Sequence, residues 1–153
     1  MGIRSQSLIN FFKLNIDKLS ENSVSVIEAK SDSVLVRLDE FDTTILLSKE
    51  GQFFVGSALL TKIQNSRHLS IILTNLMKLH GLNLGVRTFL ESDSQIGIIA
   101  DDFSCDFNAE ELCAWLYQFQ FIANTALSII SISIGSEKVL SQSEIEGFFD
   151  KAS

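Results

Sequence analysis

Residues 24–60 read VSVIEAKSDSVLVRLDEFDTTILLSKEGQFFVGSALL, and this stretch decides the fold. Side chains on a strand alternate between faces. Val24 and Val26 alternating with serine, then Val34, Val36 and Leu38 alternating with Leu35 and Arg37, predict short strands on either side of a Lys30-Ser31-Asp32 turn. Ile45 and Leu47 belong to another strand, beyond Asp39-Glu40-Phe41-Asp42. Ser48 to Gln52 reads as a hairpin turn, with Gly51 suited to a positive φ angle. The chain returns through Phe53 to Leu60, a run apolar on both faces. Short connections imply antiparallel neighbours.

Helices flank this block. Leu8 to Leu19 reads as one amphipathic helix with Leu8, Phe12, Ile16 and Leu19 on a stripe that Ile9 and Phe11 widen, and with Arg4, Lys13 and Lys18 beside it. That arc is wider than packing on one sheet requires, so it suits either core or a partly exposed binding face. Ser66 to His80 predicts a second helix, capped by Asn65 or Ser66 and stopped at Gly81. Leu69, Ile72, Leu73, Leu76 and Leu79 form its stripe; Ile71 and Met77 lie off it, which allows a second buried face at a subunit interface. Leu84 to Leu90 and Gln95 to Ala100 form a hairpin, and Phe103 to Phe107 alternates with period two. Asn108 with Glu111 makes a capping box for a long helix, Ala109 to Ile130, whose apolar face includes Trp115 and Phe119. A second box, Ser141 with Glu144, precedes Ile145, Phe148 and Phe149 and predicts a short C-terminal helix. The expected architecture is a single α+β domain, α-β-β-β-α-β-β-α with an antiparallel sheet, over residues 1–131, followed by a C-terminal extension over 132–153.

Composition narrows the function. Hydrophobic residues make up 46% of the 153-residue chain and charged residues 20%, which argues against disorder. No uninterrupted apolar run reaches the roughly 18 residues of a membrane span, so no membrane insertion is expected. The first residues lack a basic-then-apolar signal, and Gln6 stands where a myristoylation motif after Met1-Gly2 needs Ser or Thr; a cytoplasmic location follows. Net charge is −7, and no Lys or Arg falls between Thr88 and Glu137. Such a field repels phosphate backbones, so nucleic acid is not an expected partner; it suits solubility or the steering of a basic partner. With no proline in the chain, turns rest on Gly, Asp, Asn and Ser.

Nothing collects the residues of a reaction centre. His68 and His80 sit twelve positions apart on one helix, about 120° around it, too divergent for one metal. Glu91, Asp93, Asp101 and Asp102 lack calcium-loop spacing. Cys105 and Cys113 show no zinc spacing and read as small apolar residues. No nucleophile elbow or phosphate loop occurs. The expectation is a binding protein with no catalytic residue, no metal and no cofactor.

The order of elements resembles the class I type III secretion chaperones, the Tir-chaperone-like proteins of Gram-negative bacteria, over about residues 5 to 131. It is clearest at Ile71-Ile-Leu-Thr-Asn-Leu76, similar to that family's Leu-Leu-x-x-Asn helix, and continues through Gly81, Gly85, the hairpin and Asp106-Phe-Asn-Ala-Glu-Glu-Leu112. The chain departs from the pattern in lacking prolines, in its separated glycines, in the Val24 to Ala29 segment, which stands as an extra edge strand beside three main ones, and in the tail after Ser131. The resemblance implies a cytoplasmic homodimer that holds an extended N-terminal segment of a secreted effector without using ATP, with the secretion-system ATPase as a further candidate partner. A non-secretory adaptor or regulatory domain of the same fold is the alternative. Adjacent helix positions diverge by about 100°, so Phe11 and Phe12 are not both expected to face one sheet. The expected partner surface is Leu8, Phe11, Phe12, Val36 and Phe53. The expected dimer interface is Ile72, Leu76 and Leu79 with Val86, Phe89 and Ile98 of the hairpin.

Overall fold

The computed structural model describes residues 7–50, 53–82, 84–91, 95–101 and 108–150. In chain order these form α1 (Leu8–Leu14), α2 (Ile16–Glu21), β1 (Val24–Lys30), β2 (Ser33–Leu38), β3 (Thr44–Glu50), β4 (Phe53–Lys62), a one-turn 3-10 helix (Ser66–His68), α3 (Leu69–His80), β5 (Arg87–Glu91), β6 (Gln95–Asp101), α4 (Ala109–Ser136) and α5 (Gln142–Asp150). The architecture is α+β, with a six-stranded antiparallel sheet in the order β1-β2-β3-β4-β6-β5. Val24 does open an edge strand. Two compact units emerge, Met1–Ala58 with Ala100–Phe121 and Leu59–Ile99 with Ile122–Ser153. The Gly51 turn, the Ser92–Ser94 turn, the expected strand Phe103 to Phe107 with Cys105, and the side chain of Phe53 lie outside the described residues.

In the first unit, the alternation of β2 and β3 makes one apolar sheet face. Val34 pairs with Leu47 and Val36 with Ile45, and all four are buried together with Leu38. β1 follows β2 from Val24↔Leu38 to Val26↔Val36, then slips so that Glu28 pairs with Leu35 and Ala29 with Val34. Ile27 is therefore the extra residue of a β-bulge. Strict alternation from Val24 would turn the Glu28 carboxylate inward. The bulge resets the parity, sending Glu28 and Lys30 to the outer face and Ala29 to the inner one.

The single helix expected over Leu8 to Leu19 is two. Asn15 leaves helical geometry (φ −115°, ψ 19°), and both its backbone N–H, at 3.1 Å, and its Nδ2, at 2.9 Å, donate to the Phe11 carbonyl, so the residue closes the end of α1 on itself. Leu8, Phe11, Phe12 and Leu19 remain buried, whereas Ile16, expected on their stripe, is 45% exposed. The start of α1 is tied to the β1–β2 turn: Leu8 N donates to Asp32 Oδ1 at 3.2 Å and Ile9 N to Ser31 O at 3.0 Å. At α4, Asn108 Oδ1 accepts from Glu111 N at 2.9 Å while Glu111 Oε1 accepts from Asn108 N at 3.2 Å, the expected capping box. Lys18 of α2 pairs with Glu110 in the same first turn. Trp115 stacks on Phe119 with centroids 5.2 Å apart, and its ring lies so close over Gly56 that any Cβ there would collide with it.

The second unit closes around Ile63, Ile72, Leu76, Leu79, Ile96, Ala126, Ile129, Ile130, Leu140 and Ile145. Asn65 caps a tight turn rather than an α-helix, its Oδ1 accepting from Arg67 N at 2.9 Å, so α3 proper begins at Leu69. Gly81 ends it in ordinary right-handed geometry (φ −68°); the left-handed glycine is Gly85 (φ 76°). α4 continues to Ser136, so the boundary expected at residue 131 falls inside a helix. The tail is also no appendage, because Leu140 and Ile145 belong to the core. α5 is the expected short helix, with Ser141 N donating to Glu144 Oε1 at 3.2 Å and Glu144 N to Ser141 Oγ at 3.1 Å.

α4 is long and apolar enough, by length and composition, to cross a membrane, with half of its most apolar window buried inside the protein. Interspersed polar residues such as Gln118, Asn124 and Ser128 had concealed this from a count of uninterrupted apolar runs.

Candidate partner-binding groove

In the first unit an apolar groove of about 250 Å³ runs between the helices and β1, lined by Ile9, Phe12, Lys13, Ile16, Val26 and Ala29. Each lining residue is there for a local reason. Ile9, Phe12 and Lys13 follow the i, i+3, i+4 row of α1, and Ile16 opens α2. The break at Asn15 lifts Ile16 out of the core, and the bulge at Ile27 puts both Val26 and Ala29 on the helix-facing side. Further apolar side chains surround the groove's elements: Leu14 is 75% exposed and Ile27 52%. β1 is the terminal strand of the sheet, so one of its backbone edges has no strand partner among the described residues.

Of the residues expected to bind a partner, only Phe12 borders this groove. Leu8, Phe11 and Val36 are 0–1% exposed and form the inner face of the first unit. The expectation that one ring of the Phe11-Phe12 pair stays outside fails, because the two rings meet edge to face with centroids 6.2 Å apart and both are covered. A helix seated between β2 and its neighbours buries an arc wide enough for both. Ile9, Ile16, Val26 and Ala29 are the residues that sequence reasoning missed. The available signals were Asn15 interrupting the helix and Glu28 standing where strict alternation would bury it.

The expected dimer interface is likewise corrected. Ile72, Leu76, Leu79 and Ile98 are fully buried within the chain, because the face of α3 that carries the helical stripe is the one that meets its own core. Val86 and Phe89 are half-buried, and the Phe89 ring occupies the space a Cβ at Gly97 would need. The second face of α3 is the outward one: Met77 is 65% exposed, and Ile71 and Leu73 are half-buried.

Asn75, the asparagine of the family-like helix pattern, has a structural role. It is fully buried. Its Nδ2 donates to Ser133 Oγ at 2.8 Å and to Lys138 O at 2.9 Å, and its Oδ1 accepts from Leu140 N at 2.8 Å. Lys78 Nζ also donates to Leu140 O, and Gln142 Nε2 to Lys78 O at 3.1 Å. One amide thus satisfies the connector between α4 and α5 and holds it against α3.

The two histidines and Cys113 are occupied or covered. His80 Nε2 accepts from Thr88 N at 3.2 Å. His68 Nδ1 lies 3.8 Å from Glu137 Oε1, which Arg67 already engages at 3.0 Å. Burial pushes the Cys113 thiol up, away from the thiolate form that reacts. Among the described residues, no group of three or more His, Cys, Asp or Glu could hold a metal ion. The two amide atoms of the Gln120 side chain are buried without a hydrogen-bond partner, which nothing else in the structure explains.

No protein-family model matches this chain, and no curated protein matches it in sequence. The likeness to secretion chaperones therefore rests on the residue pattern and the order of elements.

Proposed function

We propose that the protein is a chaperone-type binding protein. It takes up an extended, partly apolar segment of a secreted effector and keeps it soluble, as class I type III secretion chaperones do, acting in the cytoplasm as a homodimer without catalysis or cofactor. The observation that carries this reading is the apolar groove beside the edge of β1 that has no strand partner among the described residues. An extended chain laid there gains main-chain hydrogen bonds from β1 and places alternate side chains among Ile9, Phe12, Ile16, Val26 and Ala29. An exposed apolar groove at a strand edge is an aggregation liability unless a partner uses it, and the net charge of −7 offsets that liability.

The dimer of this reading uses the outward face of α3 around Ile71 and Met77, since the stripe face is already filled. Light scattering coupled to gel filtration reads the mass directly, and a monomer at tens of micromolar would remove the dimer from the proposal.

The functional test is Ile16→Asp. Because Ile16 is already 45% exposed, the variant should melt close to the parent while losing co-purification of the effector and lowering its export. Unchanged capture and export would end the groove reading. Capture of a folded signalling protein in place of a secreted one would move the assignment to a non-secretory adaptor.

A further inference from the structure

We infer that the groove selects a segment bearing an acidic side chain between two apolar ones, through Lys13; this rests on the groove reading above. Three observations converge. The chain as a whole carries −7, yet Lys13 is the one charged side chain among the described residues that line the groove. α1 contains no acidic residue to neutralise it. Lys13 is exposed and makes no ion pair among the described residues, in contrast to Lys18, which is held by Glu110. A cation left free on an acidic protein, at the rim of an apolar groove, marks the sign of the charge that completes it.

Spacing makes the inference specific. Along α1, rising about 1.5 Å per residue, Lys13 stands roughly 6 Å beyond Ile9, and Ile16 follows as the first residue of α2, past the break at Asn15. Same-face side chains of an extended segment are about 6.7 Å apart. Three successive groove-facing positions of the segment therefore meet Ile9, Lys13 and Ile16 in turn. The pattern is apolar, x, acidic, x, apolar, with each x facing away. On the opposite wall, Val26 and Ala29 are the two inner-face residues that the Ile27 bulge brings together, and both are apolar. The acidic side chain is thus drawn to the helix side of the groove. The Lys13 stem can lie along the apolar wall while its ammonium group stays at the wet rim, where it meets that carboxylate.

The test uses the full chain and two synthetic peptides, Thr-Leu-Ser-Asp-Ser-Leu-Thr in fixed Ser/Thr flanks and the same peptide with Lys replacing Asp. An exposed rim pair is worth about a twofold to fivefold preference for the Asp peptide at low salt. That preference should shrink as salt is raised and reverse in Lys13→Glu. Lys13 is solvent-exposed, so this variant should fold as the parent does, which its melting curve checks. If Lys13→Glu keeps the parent's order of preference while Ile16→Asp abolishes binding of both peptides, the groove stands and the charge selection is overturned. If neither peptide binds, or Ile16→Asp leaves both bound, the groove reading itself fails and this inference with it.

Discussion

Two apolar helical rows in this protein meet opposite fates. In the second unit the row Ile72, Leu76, Leu79 is closed by the chain's own α4 and α5, with Ile145 completely covered. A fully satisfied amide at Asn75 fixes the connector that brings α5 there. In the first unit the row Ile9, Phe12, Ile16 has β1 on one side and solvent on the other. The two rows look alike as periodicity. What separates them is whether a later segment of chain is delivered to cover the row, and delivery depends on polar groups that hydrophobic patterning ignores. An apolar stripe thus reports that something will be buried, and the hydrogen bonds around it report by whom.

The contrast can be broken most forcefully at neighbouring positions of the first unit. Phe11→Asp is expected to cost on the order of 5 kcal/mol, since it buries a charge where a packed ring stood, whereas Ile16→Asp should cost less than about 1 kcal/mol. Urea titrations of both variants decide it, and near-equal losses would mean that the helix break at Asn15 does not divide core from surface. One step smaller is the same substitution made in both units. Ile145→Ala should cost about 2–4 kcal/mol and Ile16→Ala no more than about 0.5 kcal/mol.

Asn75→Ala, which leaves the buried Leu140 N–H without its acceptor, should cost about 2–3 kcal/mol. It should also speed amide exchange in the connector and α5 ahead of the rest. Protection lost uniformly across the second unit would contradict a local clasp. The smallest effect is electrostatic. The Glu144 carboxyl is held below the usual range, chiefly by its hydrogen bond from Lys138 and next by the Ser141 N–H. A depressed folded pKa contributes stability above the unfolded value and loses it as pH falls through the folded one. Lys138→Ala should therefore raise the Glu144 midpoint in an NMR titration toward the ordinary glutamate range, and an unmoved midpoint would show that the pair does not form in solution.

Much of this was legible in the residues. Alternation gave the inner faces of β2 and β3, because one buried face forces period two on a strand. Both capping boxes could be read because their partners lie three positions apart. The existence of α5 followed from the same local rules, whereas the edge position of β1 was suggested only by comparison with the family pattern. What escaped depends on contacts distant in sequence or on a choice between local states. Asn15 can sit inside a helix or end one, and the structure uses it to end α1. The bulge at Ile27 keeps Glu28 out of the core; the parity of Glu28 signals the need for it, and only the pairing with β2 shows where the slip falls. The continuation of α4 to Ser136 was hidden by the Ser-Ile-Ser-Ile repeat at residues 131–134, which alternates like a strand. The groove lies one face away from the expected one, because the helix break and the bulge, both set by polar residues, decide which apolar side chains remain open, whatever the size of the neighbouring rings.

The Asn75 clasp also has a consequence for how the protein comes off the ribosome. Its last acceptor–donor pair joins residues 65 apart in sequence. At bacterial-to-eukaryotic synthesis rates, roughly 3–13 seconds separate the translation of Asn75 from that of Leu140. Throughout that interval α3 carries a polar amide in the middle of its most apolar face, so premature docking of that face in a dry environment is penalised. Dry burial of that face is therefore fully compensated only after Ser133, Lys138 and Leu140 have been made.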